Sequence, residues 1–364
     1  MFGERLKLAR KKAGLSLRGL STAMEGEVTA QAIGKYERGE MMPSSGVLHR
    51  LTKVLSVSLE FLISDQVVAL EAVEFRKLSG TSVKDKARVE AAVIDHLQRY
   101  IAVEEILGLG TAEVRVPESK NRFVGIEDDA EVLANDIRRV WELGIDPIPN
   151  MTSLLEDKGI KVLLMSLPGQ VSGLTALVKG SDCKDKGAVI VVNRDVSLER
   201  RRLTLAHELA HRLMDAAPGI DQEKASNVFA GAFLAPRDHL VREIGKHRKA
   251  LGYAELVQLK RMYRMSAAAL LVRLKQIGVI DQSTLAYAFQ TYARAWRKSE
   301  PDPLEASEEK GQHEVPKRFE RLCYWALAEE LISPGKASEL LRQPLSTIQQ
   351  GMKGPSGADA DHRK

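Results

Sequence analysis

Residue spacing and turn signals predict a multidomain chain: an all-α unit of five short helices, then an α+β unit, with a helical linker between them and a small helical C-terminal region. Three observations carry this expectation. The first 63 residues alternate apolar helical stretches with Gly, Ser and Pro stops. Three short apolar runs between turn signals, Ile160–Met165, Gly173–Val178 and Ala188–Asn193, read as strands set among helices. The length of 364 residues exceeds one ordinary core, because domains run to about 100 to 200 residues.

Composition excludes several classes. With 44 % hydrophobic and 28 % charged residues the chain has the balance of a globular protein, which argues against a disordered tail or a membrane protein. No apolar run approaches the roughly 20 residues needed to span a bilayer. The charged amphipathic start, Met1 to Lys12, has no signal-peptide core, so a cytoplasmic location and no membrane partner are expected. Cys183 and Cys323 are the two cysteines and stand far apart, so they read as reduced structural thiols and not as a disulfide or a thiolate metal cluster. The net charge of +5 decides little by itself, but residues 1–63 hold ten Lys or Arg against six Asp or Glu. Arg10, Lys11 and Lys12 are adjacent there and form a candidate phosphate-facing patch.

The expected organisation follows from these signals. Residues 1–63 form the all-α unit, with Leu6, Leu8, Leu15, Leu17, Leu20, Ile33, Leu48, Leu51, Val54, Leu55 and Leu59 available for its core. Residues 64–120 read as a helical linker in which Val89, Val93, Leu97, Tyr100, Ile101 and Leu107 make an apolar stripe. That stripe needs a partner surface, either the chain's own second domain or, as a dimerisation element, a second copy. Residues 121–297 are the α+β unit, with helices around Glu127–Leu143 and Met151–Lys158 ahead of the strands, and helical stretches at Leu203–Met214 and Gln222–Leu234 after them. Residues 298–316 are charged and Pro-containing, an expected exposed linker, followed by a small helical unit at 317–352 and a disordered tail at 353–364. The pattern Ala337-Ser-Glu-Leu-Leu-Arg342, then Leu345-Ser-Thr-Ile348, reads as packing against the second domain, with a second small helix-turn-helix as the alternative.

The chemistry concentrates at His207-Glu208-Leu209-Ala210-His211. Positions i and i+4 share one helix face, so both imidazoles can meet a single metal ion. Glu208, beside them, can reach a metal-bound water without entering the coordination sphere. A catalytic zinc ion takes three protein ligands and keeps one open position, so another acidic or His side chain is required. Glu223 is the leading candidate, ahead of Asp215 and Asp221; Asn227, one turn after Glu223, is placed to hydrogen-bond a ligand histidine. His239 and His247 read as surface residues, with a contact to the transition-state oxyanion as the alternative for His239.

Arg202-Leu-Thr-Leu-Ala-His207-Glu-Leu-Ala-His211, followed by Glu223-x-x-Ser-Asn-x-Phe229-Ala-x-x-Phe-Leu-Ala-Pro236, resembles the ImmA/IrrE family of gluzincin-like metallopeptidases. The resemblance spans roughly residues 120–290. It implies a gluzincin-like fold, Zn2+ held by His207, His211 and Glu223, Glu208 as catalytic base, and a transcriptional repressor as substrate. Ser226, Ala210 and Ala235 depart from the usual alanine, glycine and methionine, and none is a ligand.

Val28-Thr-Ala-Gln-Ala-Ile-Gly-Lys-Tyr-Glu-Arg-Gly39, followed by Pro43-Ser44, resembles the recognition helix and exit turn of the XRE helix-turn-helix family. The resemblance implies that Thr29, Ala30, Gln31 and Lys35 face double-stranded DNA while Ile33 and Tyr36 pack inward. Gln31 is the base reader, since its amide can pair bidentately with adenine; Arg10, Arg18, Lys35 and Arg38 are phosphate contacts. Leu17 stands where many members carry a phosphate-binding glutamine.

Together these readings predict a homodimeric, DNA-binding transcriptional regulator that carries a zinc endopeptidase and cleaves a repressor or antitoxin protein. The alternative is a regulator or antitoxin whose peptidase-like domain is a catalytically silent sensor or partner-binding module.

Overall fold

The computed structural model describes residues 2–63, 69–71, 82–109, 122–169, 171–179, 185–296 and 299–353. The N-terminal unit consists of α1 (Phe2–Lys12), α2 (Leu17–Ala23), α3 (Ala30–Glu37), α4 (Ser45–Leu55) and α5 (Leu59–Ile63). Ser16, Thr29 and Ser44 cap α2, α3 and α4 by accepting from backbone N–H groups that the first helical turn leaves without partners. Leu6, Leu20, Ile33 and Leu51 are fully buried, whereas Leu59, expected in this core, is 49 % exposed; Leu62, three residues on, takes the inward position.

The second unit is built on a four-stranded sheet in the order β1-β4-β5-β3, with β1 (Ala69–Glu71), β3 (Lys161–Met165), β4 (Gly173–Lys179) and β5 (Asp185–Asn193). β3 runs parallel to β5, and β4 runs antiparallel to β5 and β1. Side chains alternate across this sheet, as a two-residue period requires. Val189 and Val191 enter one apolar cluster with α6 (Val83–Ile106), and Ile190 and Val192 enter the other with α9 (Leu198–Leu213). The sheet therefore lies between two helical layers. A separate two-residue parallel pair, β2 (Phe123–Val124) with β6 (Asp215–Ala216), ties the start of this unit to the end of α9. α7 (Asp129–Val140), α8 (Met151–Asp157), α10 (Gln222–Leu234), α11 (Arg237–Ile244), α12 (Tyr253–Tyr263), α13 (Ala267–Gln276) and α14 (Gln282–Gln290) complete it.

Of the two partner surfaces open to the linker stripe, the chain supplies its own: Val89, Val93, Leu97 and Ile101 pack on the sheet, and Tyr100 and Leu107 pack on the C-terminal unit. One expectation is corrected. The stretch expected as an exposed linker is pinned through charge. Glu305 is 3 % exposed and forms a bidentate pair with Arg201 at 2.8 and 2.9 Å, while Glu314 meets the fully buried Arg202. An unpaired arginine at either place in α9 would be costly to bury, so this acidic strap completes the α+β unit. Cys183 and the expected tail beyond Lys353 lie outside the described residues, and Cys323 is buried in the C-terminal unit of α15 (Arg318–Ala328), α16 (Pro334–Leu341) and α17 (Leu345–Lys353).

α6 joins all three parts. Asp95, 1 % exposed at its middle, receives Lys12 of α1 at 2.9 Å, Arg342 from the end of α16 at 2.7 Å, and Arg99 of its own helix at 3.4 Å. Burial pushes its carboxyl up, but the three cations together outweigh this and hold it below the usual carboxylate range. A carboxyl so depressed stabilises the fold fully above the unfolded value of 3.8, and this contribution is lost as pH falls through the lower folded value. Asp95→Asn is expected to cost about 2–3 kcal/mol at neutral pH, a buried-pair loss discounted for the partly solvated partners. Urea unfolding of the variant beside the parent measures it, and the gap should narrow on acidification below 3.8.

Candidate metal centre

α9 begins at Ser197, whose side chain caps Arg200 N–H, and its apolar positions Leu205, Leu209 and Leu213 lie against the core between the sheet and α10. Close packing of α9 on β4 requires a residue without a side chain. A Cβ on Gly173 would stand 2.5 Å from Thr204 Cγ2, 2.8 Å from Val191 O and 3.5 Å from Glu208 Cγ. Gly173 therefore sets how deeply the helix that carries the His-Glu-x-x-His motif seats in the fold. The sequence offered only a glycine at the first position of a strand, which is too common a signal to single out.

α10 packs on the opposite side, stacking Phe229 on Phe233 with ring centroids 5.5 Å apart and setting Phe233 edge-on to Trp141 at 5.9 Å. Its C-terminal end is clamped by Arg138, which donates to Phe233 O at 2.6 Å, and by Arg273, which donates to Ala235 O at 3.0 Å. Asp221 caps its first turn through Lys224 N at 3.1 Å. With both ends held, Glu223 in the first turn and Asn227 one turn later face α9.

Three side chains converge there. His207 Nε2 and His211 Nε2 are 3.1 Å apart, and each lies 3.4 Å from a different carboxylate oxygen of Glu223. His207 Nδ1 is 2.9 Å from Asn227 Oδ1, so an N–H there donates to the amide oxygen and leaves Nε2 with its lone pair toward His211 and Glu223. A cation placed among the two ring nitrogens and the carboxylate would meet all three as donors. The spacing also has the right size: donor atoms 2.0–2.1 Å from a tetrahedral zinc ion stand about 3.3–3.4 Å from one another. Both histidines are buried, at 4 % and 6 % exposure, while the Glu223 side chain is 47 % exposed, so the cluster is closed on the core side and open toward solvent. The donor set thus fits a zinc ion that keeps one position for water or substrate. Among the described residues, this is the group of three His, Cys, Asp or Glu side chains placed to hold a metal.

The competing acids are used elsewhere: Asp215 lies in β6 beside Arg122 at 3.4 Å, and Asp221 is the α10 cap. His239 bonds the buried Tyr263 hydroxyl at 2.6 Å, and His247 is exposed. Glu208 is 1 % exposed on the same helix, within the wall that Gly173 and Thr204 form.

At the N-terminal unit, Thr29, Gln31, Lys35, Arg18 and Arg38 are exposed on or beside α2 and α3, and Ala30 is partly covered. Thr29 also caps α3 by accepting from Ala32 N–H at 3.2 Å, and Arg38 lies against the exposed Glu40. Arg10, read from the sequence as a phosphate contact, is instead internal: it pairs with Glu37 at 2.5 and 2.8 Å and donates to Leu15 O at 2.9 Å. This bidentate pair joins α1 to the end of α3 and occupies both partners.

Comparison with known proteins agrees with this division. Residues 6–62 match the helix-turn-helix family, and residues 155–275 match the IrrE N-terminal-like domain of the M78 peptidases. The chain thus carries an XRE-type helix-turn-helix region at its N-terminus and an IrrE/ImmA-like M78 domain after it. Over 63 residues, 17 % of the chain, it is 40 % identical to the SPbeta prophage-derived uncharacterized HTH-type transcriptional regulator YonR of Bacillus subtilis (strain 168). The match spans about half, 56 %, of that relative's length.

Zinc titration read by a competing chelator tests the donor set without reference to catalysis. The parent should bind one ion per chain, Asn227→Ala should weaken binding by about 10–100-fold, and Glu223→Ala by more, because loss of a ligand exceeds loss of its orienting neighbour.

Proposed function

We propose that this protein is a cytoplasmic DNA-binding regulator with a zinc-dependent endopeptidase domain that cleaves a repressor or antitoxin protein. The observation that supports it best is the convergence of His207, His211 and Glu223, next to Glu208, on a helix seated against a sheet. His207, His211 and Glu223 would hold a zinc ion, which when bound would supply Lewis acidity toward a peptide carbonyl and toward water. Glu208 takes the proton of the attacking water and passes it to the leaving amine, so the peptide C–N bond breaks while the carbonyl carbon gains the hydroxyl oxygen. Asn227 keeps the His207 ring in one tautomer, and the apolar wall behind α9 excludes water from the buried side of the site.

The N-terminal unit delivers this chemistry to a promoter. Gln31 reads a base edge in the major groove, Thr29, Ala30 and Lys35 line the same helix face, and Arg18 and Arg38 meet phosphates of a double-stranded operator. Two copies pair on a palindromic site, as such domains commonly do.

Two measurements test the reading. Glu208→Gln should retain zinc and lose about 10^2–10^4-fold in turnover of a neighbouring repressor or antitoxin, followed by the appearance of a new peptide terminus in mass spectrometry. Equal cleavage by parent and variant removes Glu208 from the mechanism, and a stable uncleaved complex with both favours a silent partner-binding domain. On a duplex selected by the parent, Gln31→Ala should cost about 1–3 kcal/mol in binding and relax preference at one base pair. Fluorescence anisotropy with single-base variants of that duplex reads both effects.

A further inference from the structure

We propose that α16 and α17 form a second helix-turn-helix, in which α17 lies in the major groove of duplex DNA. The helices have eight and nine residues and are joined by Arg342, Gln343 and Pro344, the short turn such a motif requires. Arg342 takes the left-handed conformation at φ +55°, which stops α16 and turns the chain, and Ser338 Oγ donates to Gln343 O at 2.6 Å across the turn.

α17 is seated by very little. Ile348 is its one fully buried residue, and Gly351 lets it approach α15, since a Cβ there would stand 2.7 Å from Tyr324 Cζ. Leu345, Ser346, Thr347, Gln349, Gln350 and Lys353 are all exposed. At 100° per residue, Ser346, Gln350 and Lys353 project away from Ile348, with Gln349 on the flank. The contacts that fasten the C-terminal unit to α6 come from α15 and α16, through Phe319, Leu322 and Ala337, with Tyr100 and Val103 opposite. Among the described residues, the fold uses the inner edge of α17 and leaves its outer face exposed.

Chemistry commits that face to DNA. From Leu340 to Lys353 there is no carboxylate; Arg342 is spent on Asp95, which leaves Lys353 as the cation carried by α17 itself. Two glutamines and a serine offer the amide and hydroxyl groups that read base edges, and Leu345 at the helix start suits a thymine methyl. The mounting is rigid as well: Arg342, from the turn itself, meets Asp95, Arg99 donates to Leu340 O, and Lys12 of α1 reaches the same Asp95. One carboxylate therefore ties both units to α6, and a single chain would contact DNA at two places.

Selection from a pool of randomised duplexes of roughly 40 base pairs, long enough for elements spaced by helical turns, tests this with the full-length protein. The parent should select two elements; Gln31→Ala should blur one, and Ser346→Ala with Gln350→Ala the other. Lys353→Glu should weaken binding several-fold and lower the salt-dependence slope by about one, with an unchanged thermal midpoint. If the α17 variants select the parent's full sequence with the same affinity and slope, the proposal is overturned. It is equally overturned if α17 variants keep DNA selection but lose a displayed peptide from the groove of about 590 Å³ between Leu327, Ile332 and Met352. Blurring by the α17 variants without any by Gln31→Ala supports the second motif while faulting the assignment at α3.

Discussion

The arrangement depends on how helix α6 buries its apolar stripes. A 24-residue helix with residues such as Val89, Val93, Leu97, Tyr100, Ile101 and Val103 along it must cover that surface, and three parts of the chain do so. The sheet takes one stripe, α15 takes another, and α1 docks through Arg5 on Gln98 and Lys12 on Asp95. The apolar contacts supply most of the attraction, since burial is roughly proportional to area. Asp95 supplies the register, because a buried carboxylate that needs several cations tolerates few other placements of the modules around it.

The candidate metal centre is a consequence of the layer on the other side of the sheet. α9 can approach β4 closely because Gly173 has no side chain, and α10 can hold Glu223 over the two histidines because Arg138 and Arg273 clamp its far end. The candidate donors are thus carried by helices whose positions are set by packing and buried ion pairs. Such rigidity matters for metal chemistry, since affinity and geometry fall off when ligands must be gathered from a floppy frame. The acidic strap adds to it: Glu305 and Glu314 satisfy two arginines in the first half of α9 that would otherwise be stranded in the core.

Much of this was legible in the residue pattern. Apolar helical stretches with Gly, Ser and Pro stops mark the N-terminal helices, and short apolar runs between turn signals mark the three longer strands. His207, His211 and Glu223 were legible because metal ligation needs particular atoms at particular helical spacings. Other features were not. β1 is three residues long and owes its conformation to pairing with β4, so no local signal announces it. Leu59 and Leu62 exchange inner and outer positions because a five-residue helix carries too little periodicity to choose. Arg10 and the charges of the strap read as surface groups, since composition cannot reveal that a distant partner of opposite sign will bury with them.

By itself, then, the sequence determined the local elements and singled out the candidate donor residues, because both follow from short-range rules: backbone hydrogen bonding, helical periodicity and ligand chemistry. Tertiary structure decided which surfaces those elements share. It turned an apolar stripe into the junction of three modules, drew an apparent linker into the core, and left α17 with an exposed outer face among the described residues. These outcomes depend on long-range packing and on the cost of burying a charge alone, and neither is written in the neighbours of any one residue.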